Sequence, residues 1–428
     1  MTNAIFDTDP ETNELKNQVS QEMGKAISNQ ALEMEKATVL VRAAELLHKY
    51  GTPSHRLEGV MKRVSMALGI DADFLYTPTS LFVSFRKDHY RAQLLRVDAG
   101  PINLGKLAEF HDCLEVIENQ RVPLDECAES LEAIERQLPR FGFIPLALVT
   151  GIASGMVTVF LGGGWAEMGT AICLGIVVQI LNSSLNRLFP GERLFEFTAG
   201  FTCATLALLA SAFIYPLDDR ITTLASLIVI LPGLSVTIAM TELANSHLSS
   251  GVSRLAGAVV VFLTLAVGVA LAWRLGSVWR PEQVLPTPLP AYSKFWAALI
   301  APLCFAVFFQ ARYQDWWKIC PVAWLGFLAT TLVQSVYGIE WGAFVGAAVI
   351  GILSNLYARF YKRPALILQI PAILLLVPGS LGYLSVTSFI DQQGLAGVES
   401  AFSMSLVAMA LAGGLITANA VVAPKRFL

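Results

Sequence analysis

From Gly142 onward the sequence is a succession of apolar stretches, each close to the length that crosses a lipid bilayer. A spanning helix needs about 20 mostly apolar residues. Ten stretches qualify or nearly so: about 142–161, 168–186, 195–215, 221–240, 251–273, 294–311, 319–337, 341–358, 365–386 and 400–422. Trp316, Trp317 and Pro321 crowd the start of the seventh. The fourth and ninth are each interrupted by Pro-Gly.

Charge is partitioned accordingly. Residues 1–140 hold 38 of the 63 Asp, Glu, Lys and Arg (16 basic, 22 acidic), whereas the remaining 288 positions hold 25. Overall the chain is 54% hydrophobic and 15% charged, against about 25% charged for a soluble protein. The first third can be water-soluble and the rest cannot. This excludes a secreted domain, an all-soluble enzyme and a disordered chain. A net charge of −3 gives no reason to expect nucleic acid.

The first 34 residues have no apolar core and do not read as a signal peptide. The six cysteines (Cys113, Cys127, Cys173, Cys203, Cys304 and Cys320) form no CxxC or other metal spacing, and four lie in apolar runs. They read as small core residues in a reducing compartment. No metal and no cofactor is expected.

Orientation follows from the positive-inside rule. With a cytoplasmic N-terminal domain and ten spans, the inner loops and tail carry Arg187, Arg193, Arg254, Arg312, Lys318, Arg359, Lys362, Arg363, Lys425 and Arg426. The outer loops carry Arg220, Arg274, Arg280 and Lys294. The expected location is the plasma (inner) membrane, multi-pass, with both termini cytoplasmic.

Leu227-Ile-Val-Ile-Leu-Pro-Gly233 and Ile373-Leu-Leu-Leu-Val-Pro-Gly379 share one pattern, five aliphatics and then Pro-Gly. Both fall in the fourth span of a five-span block. Five is odd, so two such blocks in one chain run in opposite directions, as in inverted-repeat transporters. Two ordinary proline kinks are the alternative reading. Proline lacks a donor and clashes with the preceding turn, and glycine bends freely. The half-helix that follows starts with unpaired N–H groups, which can hold an anion such as a carboxylate. Pro232, Gly233, Pro378, Gly379 and Ser380 are therefore candidate substrate-binding residues.

The stretch after the first break, GLSVTIAMTELANSHLSSGVSR, is unusually polar for its place. Thr237, Thr241, Asn245 and Ser249 recur every fourth position and are expected to form one helix face lining a path. Glu242 and His247 lie close by, and Arg254 opens the next span. An ionisable group inside a membrane is a functional candidate by default. Glu242 reads either as a buried proton- and substrate-binding carboxylate or as an interfacial charge. His247 is a second candidate for proton coupling and Arg254 the candidate charge partner, with a simple boundary position as the alternative for both.

In the first third, residues 31–50 have helix periodicity and Gly51 is a plausible stop. A second helix follows Thr52-Pro53-Ser54, with Leu57, Val60, Met61, Val64 and Leu68 on one face. Residues 72–85 and 90–98 read as strands around a charged turn, RKDH, and helices follow near 103–119 and 123–137. The histidines here (His48, His55, His89 and His111) show no ligand spacing, and no Walker or Gly-rich phosphate loop appears.

Several local patterns resemble the threonine/serine exporter (ThrE-like) family from about residue 35 to the end. These are Gly51-x-Pro53-x-x-Arg56-Leu57, Thr77-Pro78-Thr79, Gly100-x-Ile102-Asn103-Leu104, Leu231-Pro232-Gly233 followed by Ser250-Gly251-x-x-Arg254, and Arg363-Pro364-Ala365 leading to Val377-Pro378-Gly379. The last resembles the family's second, smaller domain, so both domains are fused in one chain. The resemblance implies a plasma-membrane exporter of threonine and serine driven by the proton gradient. Some split members are associated with dicarboxylate export.

The expected fold is an α-helical polytopic membrane protein of about ten transmembrane helices, built as two inverted five-helix repeats with Pro-Gly-broken helices, plus a small N-terminal cytoplasmic α/β domain. The expected division is a flexible segment 1–34, the α/β domain 35–140, the first five-helix unit 141–276, a Pro-rich linker 277–293 and the second unit 294–428. The expected activity is secondary, proton-coupled antiport that exports small polar amino acids. The partners would be a small-molecule substrate (threonine, serine or a dicarboxylate), protons and the lipid bilayer, with homo-oligomerisation left open. Export of a dicarboxylate such as succinate is the second transport reading. A membrane-anchored sensor or scaffold is the reading from another class, disfavoured because an anchor needs neither ten spans nor paired breaks. No nucleophile–base or metal spacing suggests an enzyme.

Overall fold

A computed structural model describes residues 10–86, 92–97, 100–118, 124–190, 194–276 and 286–423. The N-terminal domain begins with a long helix, α1 (Pro10–Lys49), so residues 10–34 continue the helix whose periodicity is evident only from about residue 31. The side chains described between residues 18 and 34 are exposed, and only from Val39 does α1 enter the core. Helix α2 (Ser54–Leu68) follows a turn at Gly51, whose φ of +87° suits glycine. Ile102 also approaches that residue so closely that a Cβ would meet its Cγ1 at 2.6 Å.

Three strands form an antiparallel meander in the order β1 (Ala72–Thr77), β2 (Ser80–Phe85) and β3 (Ala92–Arg96). The stretch 72–85 is thus a hairpin rather than one strand. Thr77 pairs with Ser80 across Pro78, where the missing donor favours a turn. Lys87–His89, in the expected charged turn, lie outside the described residues. Burial alternates along β1, and Phe74, Tyr76, Leu81 and Val83 share one core with buried residues of α1, α2, α3 (Leu104–Glu118) and α4 (Leu124–Arg136). Leu46, Leu57, Met61, Phe110 and Leu131 fill that core.

The remainder is helical. Among the described residues, seven helices are long and apolar enough to cross a membrane: α5 (Phe143–Phe160), α6 (Trp165–Leu188), α7 (Phe195–Phe213), α10 (Leu248–Leu275), α12 (Tyr313–Tyr337), α13 (Ile339–Tyr361) and α16 (Gly394–Val421). Helix α11 (Ser293–Phe308) is shorter. The fourth and ninth stretches are each two short helices around a break, α8 (Asp219–Ser226) with α9 (Gly233–Ala244), and α14 (Leu366–Ile373) with α15 (Gly379–Ile390). Helix α12 begins six residues earlier than hydropathy suggests, because Trp316, Trp317 and Pro321 are accommodated within it.

The two units repeat one backbone. Helices α9 and α15 are both 12 residues long, and α10 and α16 both 28. Pro232 and Pro378 precede α9 and α15 with nearly the same dihedrals, −80°, 33° and −82°, 41°. The turns that follow pass through left-handed Ser246 (φ 65°) and Gln392 (φ 61°). Earlier in each unit, α5 ends through Gly162 (φ 82°) and α11 through Gln310 (φ 59°). Close contacts repeat too. A Cβ on Gly268 would meet the Phe197 carbonyl at 2.3 Å, and one on Gly414 would meet the Phe344 carbonyl at 2.3 Å. Each unit thus comprises four continuous helices and one broken helix, in the same order.

The N-terminal domain sits against one end of the bundle. The Leu104 amide donates to the Phe309 carbonyl at 2.9 Å, and Gln310 exchanges two hydrogen bonds with the Phe141 backbone. Arg363 pairs with Asp112, and Arg312 lies 3.6 Å from both Glu109 and Asp112. The opposite end carries the Arg220–Asp391 ion pair and the buried Glu167, which accepts from the Gly164 and Asp218 amides. Most of the Pro-rich linker (277–285) and the tail from residue 424 lie outside the described residues, with Arg280, Lys425 and Arg426 among them; so does Arg193.

Candidate functional site: a cavity between two broken helices

The two breaks meet. A Cβ added to Gly233 would lie 2.8 Å from both Cα and N of Gly379. Only glycine lets two backbones approach this closely. The N-termini of α9 and α15 therefore face each other and the helices diverge, α9 towards the N-terminal domain and α15 towards the far end. Around this junction lies a cavity of about 110 Å³, lined by Gly233, Gly379 and Ser380 together with Leu231, Leu234 and Val377. Pro232 and Pro378 are buried just behind it. Irregular backbone at membrane depth is tolerated where protein buries it or a cavity borders it.

A second, narrow cavity of about 40 Å³ continues from the first at Leu234 towards the N-terminal domain. Thr237 and Thr241 line it. Their hydroxyls donate to the carbonyls four residues back, Thr237 to Gly233 at 3.1 Å and Thr241 to Thr237 at 2.9 Å. Each keeps lone pairs for another donor. The opposite wall is Gln369, Ile370, Ile373, Leu415 and Asn419, and Pro53 and Arg56 of the N-terminal domain close the end.

The polar stripe does not continue as one helix face. Helix α9 ends at Ala244, Asn245 is its C-cap with its side-chain amide on the Thr241 carbonyl, and the chain reverses through Ser246. Asn245 and Ser249 are exposed, and Ser249 belongs to α10. Ser250 points inward instead, 2.7 Å from the Ser54 hydroxyl. Four-residue spacing carries a face forward only while the helix persists.

Glu242 is fully buried, but it is not a lone carboxylate. Both of its oxygens accept from Arg254 at 3.0 Å, and Oε1 also accepts from the Ser54 amide at 3.1 Å. Ser54 opens α2, so Glu242 caps a helix of the neighbouring domain, where negative charge is favoured. The sequence suggests a path-lining proton acceptor, whereas the structure holds Glu242 in a bidentate pair outside the residues lining either cavity. His247 lies in the α9–α10 turn with its Nδ1 3.8 Å from Glu58. His48 is buried near the same pair, and burial, aided by the Arg254 charge, holds its pKa below the ordinary value. Among the described residues no cluster of His, Cys, Asp and Glu could hold a metal ion.

Arg56 stands in the Gly51-x-Pro53-x-x-Arg56-Leu57 pattern but is not among the site residues the sequence suggests. Its side chain is buried, Nη2 donates to Gln369 at 2.7 Å, and Nη1 has no protein partner. Burial without an acidic neighbour lowers its pKa to about 10. A signal was available. Arg56 falls four positions before Val60 on the apolar face of α2, where an arginine calls for a polar partner across the interface.

A multi-pass bundle whose central cavity lies between two apposed helix breaks defines a polytopic membrane protein of transporter architecture. Family comparison agrees. The model described as "Putative threonine/serine exporter" matches residues 38–276, and that described as "Threonine/Serine exporter, ThrE" matches residues 294–421. The chain belongs to the threonine/serine exporter family, with both family domains present. It is 27% identical over 415 residues to pheromone-regulated membrane protein 10 of Pichia sorbitophila, covering 90% of this chain and 40% of that protein. The proteins of the same name from Debaryomyces hansenii (29% over 382 residues) and Eremothecium gossypii (28% over 396) cover 85% and 87% of this chain, and 37% and 52% of their own length. The chain thus spans about half or less of these relatives. No solved structure matches it.

Proposed function

We propose that the protein is a secondary exporter of small polar amino acids, threonine and serine first, working by proton antiport in the plasma membrane with its N-terminal domain cytoplasmic. The observation that carries this reading is the meeting of Gly233 and Gly379 at a central cavity in a chain of this family. Paired half-helix N-termini supply partial positive charge for a carboxylate. The Thr237 and Thr241 oxygens, with carbonyls freed at the breaks, suit an ammonium and a substrate hydroxyl.

Proton coupling through Glu242 then requires the Arg254 pair to open. The proton exchanges when the docked domain shifts and Ser54 and Arg254 release the carboxylate. His247, facing Glu58 across the same seam, is the second proton-carrying group. The two inverted units supply the alternation, each exposing the shared cavity to one side in turn. Full-length protein reconstituted in vesicles preloaded with labelled threonine, serine or succinate tests the reading. Efflux of threonine and serine, faster with an inward proton gradient, is the expected result. Efflux of succinate alone would replace the substrate, and efflux indifferent to the gradient would remove the coupling.

A further inference from the structure

The cavity beside the N-terminal domain contains one cation, and that cation does not come from the membrane helices. We propose that Arg56, projecting from α2 of the N-terminal domain, is a substrate-binding residue that takes the carboxylate of the transported molecule, so that the domain forms part of the transport site. The proposal rests on the exporter reading above and specifies which side chain recognises the anionic end of the substrate.

The Arg56 guanidinium borders the cavity with Thr237, Thr241, Gln369 and Asn419, and none of the lining residues is acidic. Gln369 holds one of its nitrogens at 2.7 Å and fixes the fork. The other, Nη1, is buried with no hydrogen-bond partner in the protein. A buried charge is costly unless it is paired, and the planar guanidinium fork matches a carboxylate or another planar oxyanion. The neighbouring arginine is spent differently, since Arg254 is already paired with Glu242. Arg254, Arg312 and Arg363 at the domain–bundle contact all face carboxylates, so Arg56 is the one left to bind an anion. The hydroxyls of Thr237 and Thr241 lie on the same cavity wall, the first of them three residues from the Leu234 that borders both cavities. A small zwitterion bound here has its carboxylate at Arg56 and its ammonium and hydroxyl on the Thr237 and Thr241 oxygens, one cavity away from the half-helix N-termini.

The test measures equilibrium binding to full-length protein in lipid nanodiscs, using L-threonine, L-threonine methyl ester, which lacks the carboxylate charge, and succinate. Wild type should prefer threonine to the ester by at least about 30-fold, the loss expected when one partner of a buried charge pair is removed. Arg56→Gln should bring that ratio close to one, and Arg56→Lys should leave it intermediate. Gln369→Glu provides a variant that keeps Arg56 and the docked domain. Its carboxylate would occupy the guanidinium and should lower the ratio without unfolding the protein. An unchanged ratio in a folded Arg56→Gln or Gln369→Glu protein overturns the assignment. Wild type that binds succinate but not threonine, with succinate binding lost in Arg56→Gln, overturns the amino-acid reading and keeps Arg56. Wild type that binds none of the three, or binds ester as well as acid, overturns the carboxylate site itself.

Discussion

The same Gly→Ala change at the two breaks should have opposite consequences. Neither Gly233 nor Gly379 has a positive φ, so alanine fits the backbone conformation at both. The surroundings differ. At Gly233 the new methyl would sit 2.8 Å from the Gly379 Cα and N, which are backbone atoms and cannot rotate away. Restoring a 3.4 Å contact means parting the two breaks by about 0.6 Å (3.4 − 2.8), at the junction where the two units touch. Overpacking of this kind costs about 1–3 kcal/mol. At Gly379 the methyl would meet Leu231 Cβ at 3.4 Å and Gly233 Cα at 3.6 Å, which is ordinary contact. There the loss of unfolded-chain freedom should stabilise by about 0.4–1 kcal/mol. The assay is thermal unfolding of the detergent-purified protein, paired with threonine exchange in vesicles. Gly233→Ala should melt lower and exchange more slowly, while Gly379→Ala should match or exceed wild type in stability. Equal effects, or Gly379→Ala as the more damaging change, would refute the apposition of the breaks.

Other consequences follow from the seam between domain and bundle. Glu242→Gln removes one partner of a buried pair and should destabilise by about 3 kcal/mol, whereas Glu242→Gln combined with Arg254→Gln should recover part of that loss; additive losses on thermal unfolding would show that the pair is not coupled. The Glu242→Gln protein should also lose gradient-driven efflux, and retention of normal pH dependence would shift the proton to His247. His48 has a folded-state pKa below its unfolded value of about 6.5, so the unfolded chain binds the extra proton first and stability falls as pH drops below that value. Melting points from pH 7.5 to 5 should therefore decline, and less steeply in His48→Gln; identical slopes would remove His48 from the acid response. Single cysteines at Ser246 and Tyr337, in a background without the natural cysteines, should label from opposite sides of the membrane, Ser246 from the cytoplasm. Labelling of both from one side would refute the ten-pass topology.

The sequence by itself determined which parts of this chain enter the membrane and where they break. Hydropathy fixes the ten apolar stretches, and Pro-Gly interrupts helices for local reasons of donor loss and backbone freedom. The pairing of Pro232-Gly233 with Pro378-Gly379 was legible because it repeats. The deeper repeat was not, because left-handed turns at Ser246 and Gln392, or at Gly162 and Gln310, share a conformation without sharing a residue type. The hairpin at Pro78 and the helical start of α1 escaped hydropathy reading because one is a turn inside an apolar run and the other a polar helix with little periodicity.

Contacts across hundreds of residues belong to tertiary structure alone. Four-residue spacing placed Ser249 on a face with Thr237 and Thr241, but the helix ends at Ala244 and the next residue to point inward is Ser250. Sequence offers Arg254 as a charge partner near Glu242, but not the Ser54 amide, 188 residues away, which also binds the carboxylate. Arg56 reads in sequence only as part of the Gly51-x-Pro53-x-x-Arg56-Leu57 pattern, and only docking places it beside Gln369, 313 residues on, at the end of a membrane cavity. The physical reason is the same in each case. Burial and periodicity are properties of a segment and can be read along it, whereas the role of a charge depends on which opposite charge or ligand the fold brings within about 3 Å of it.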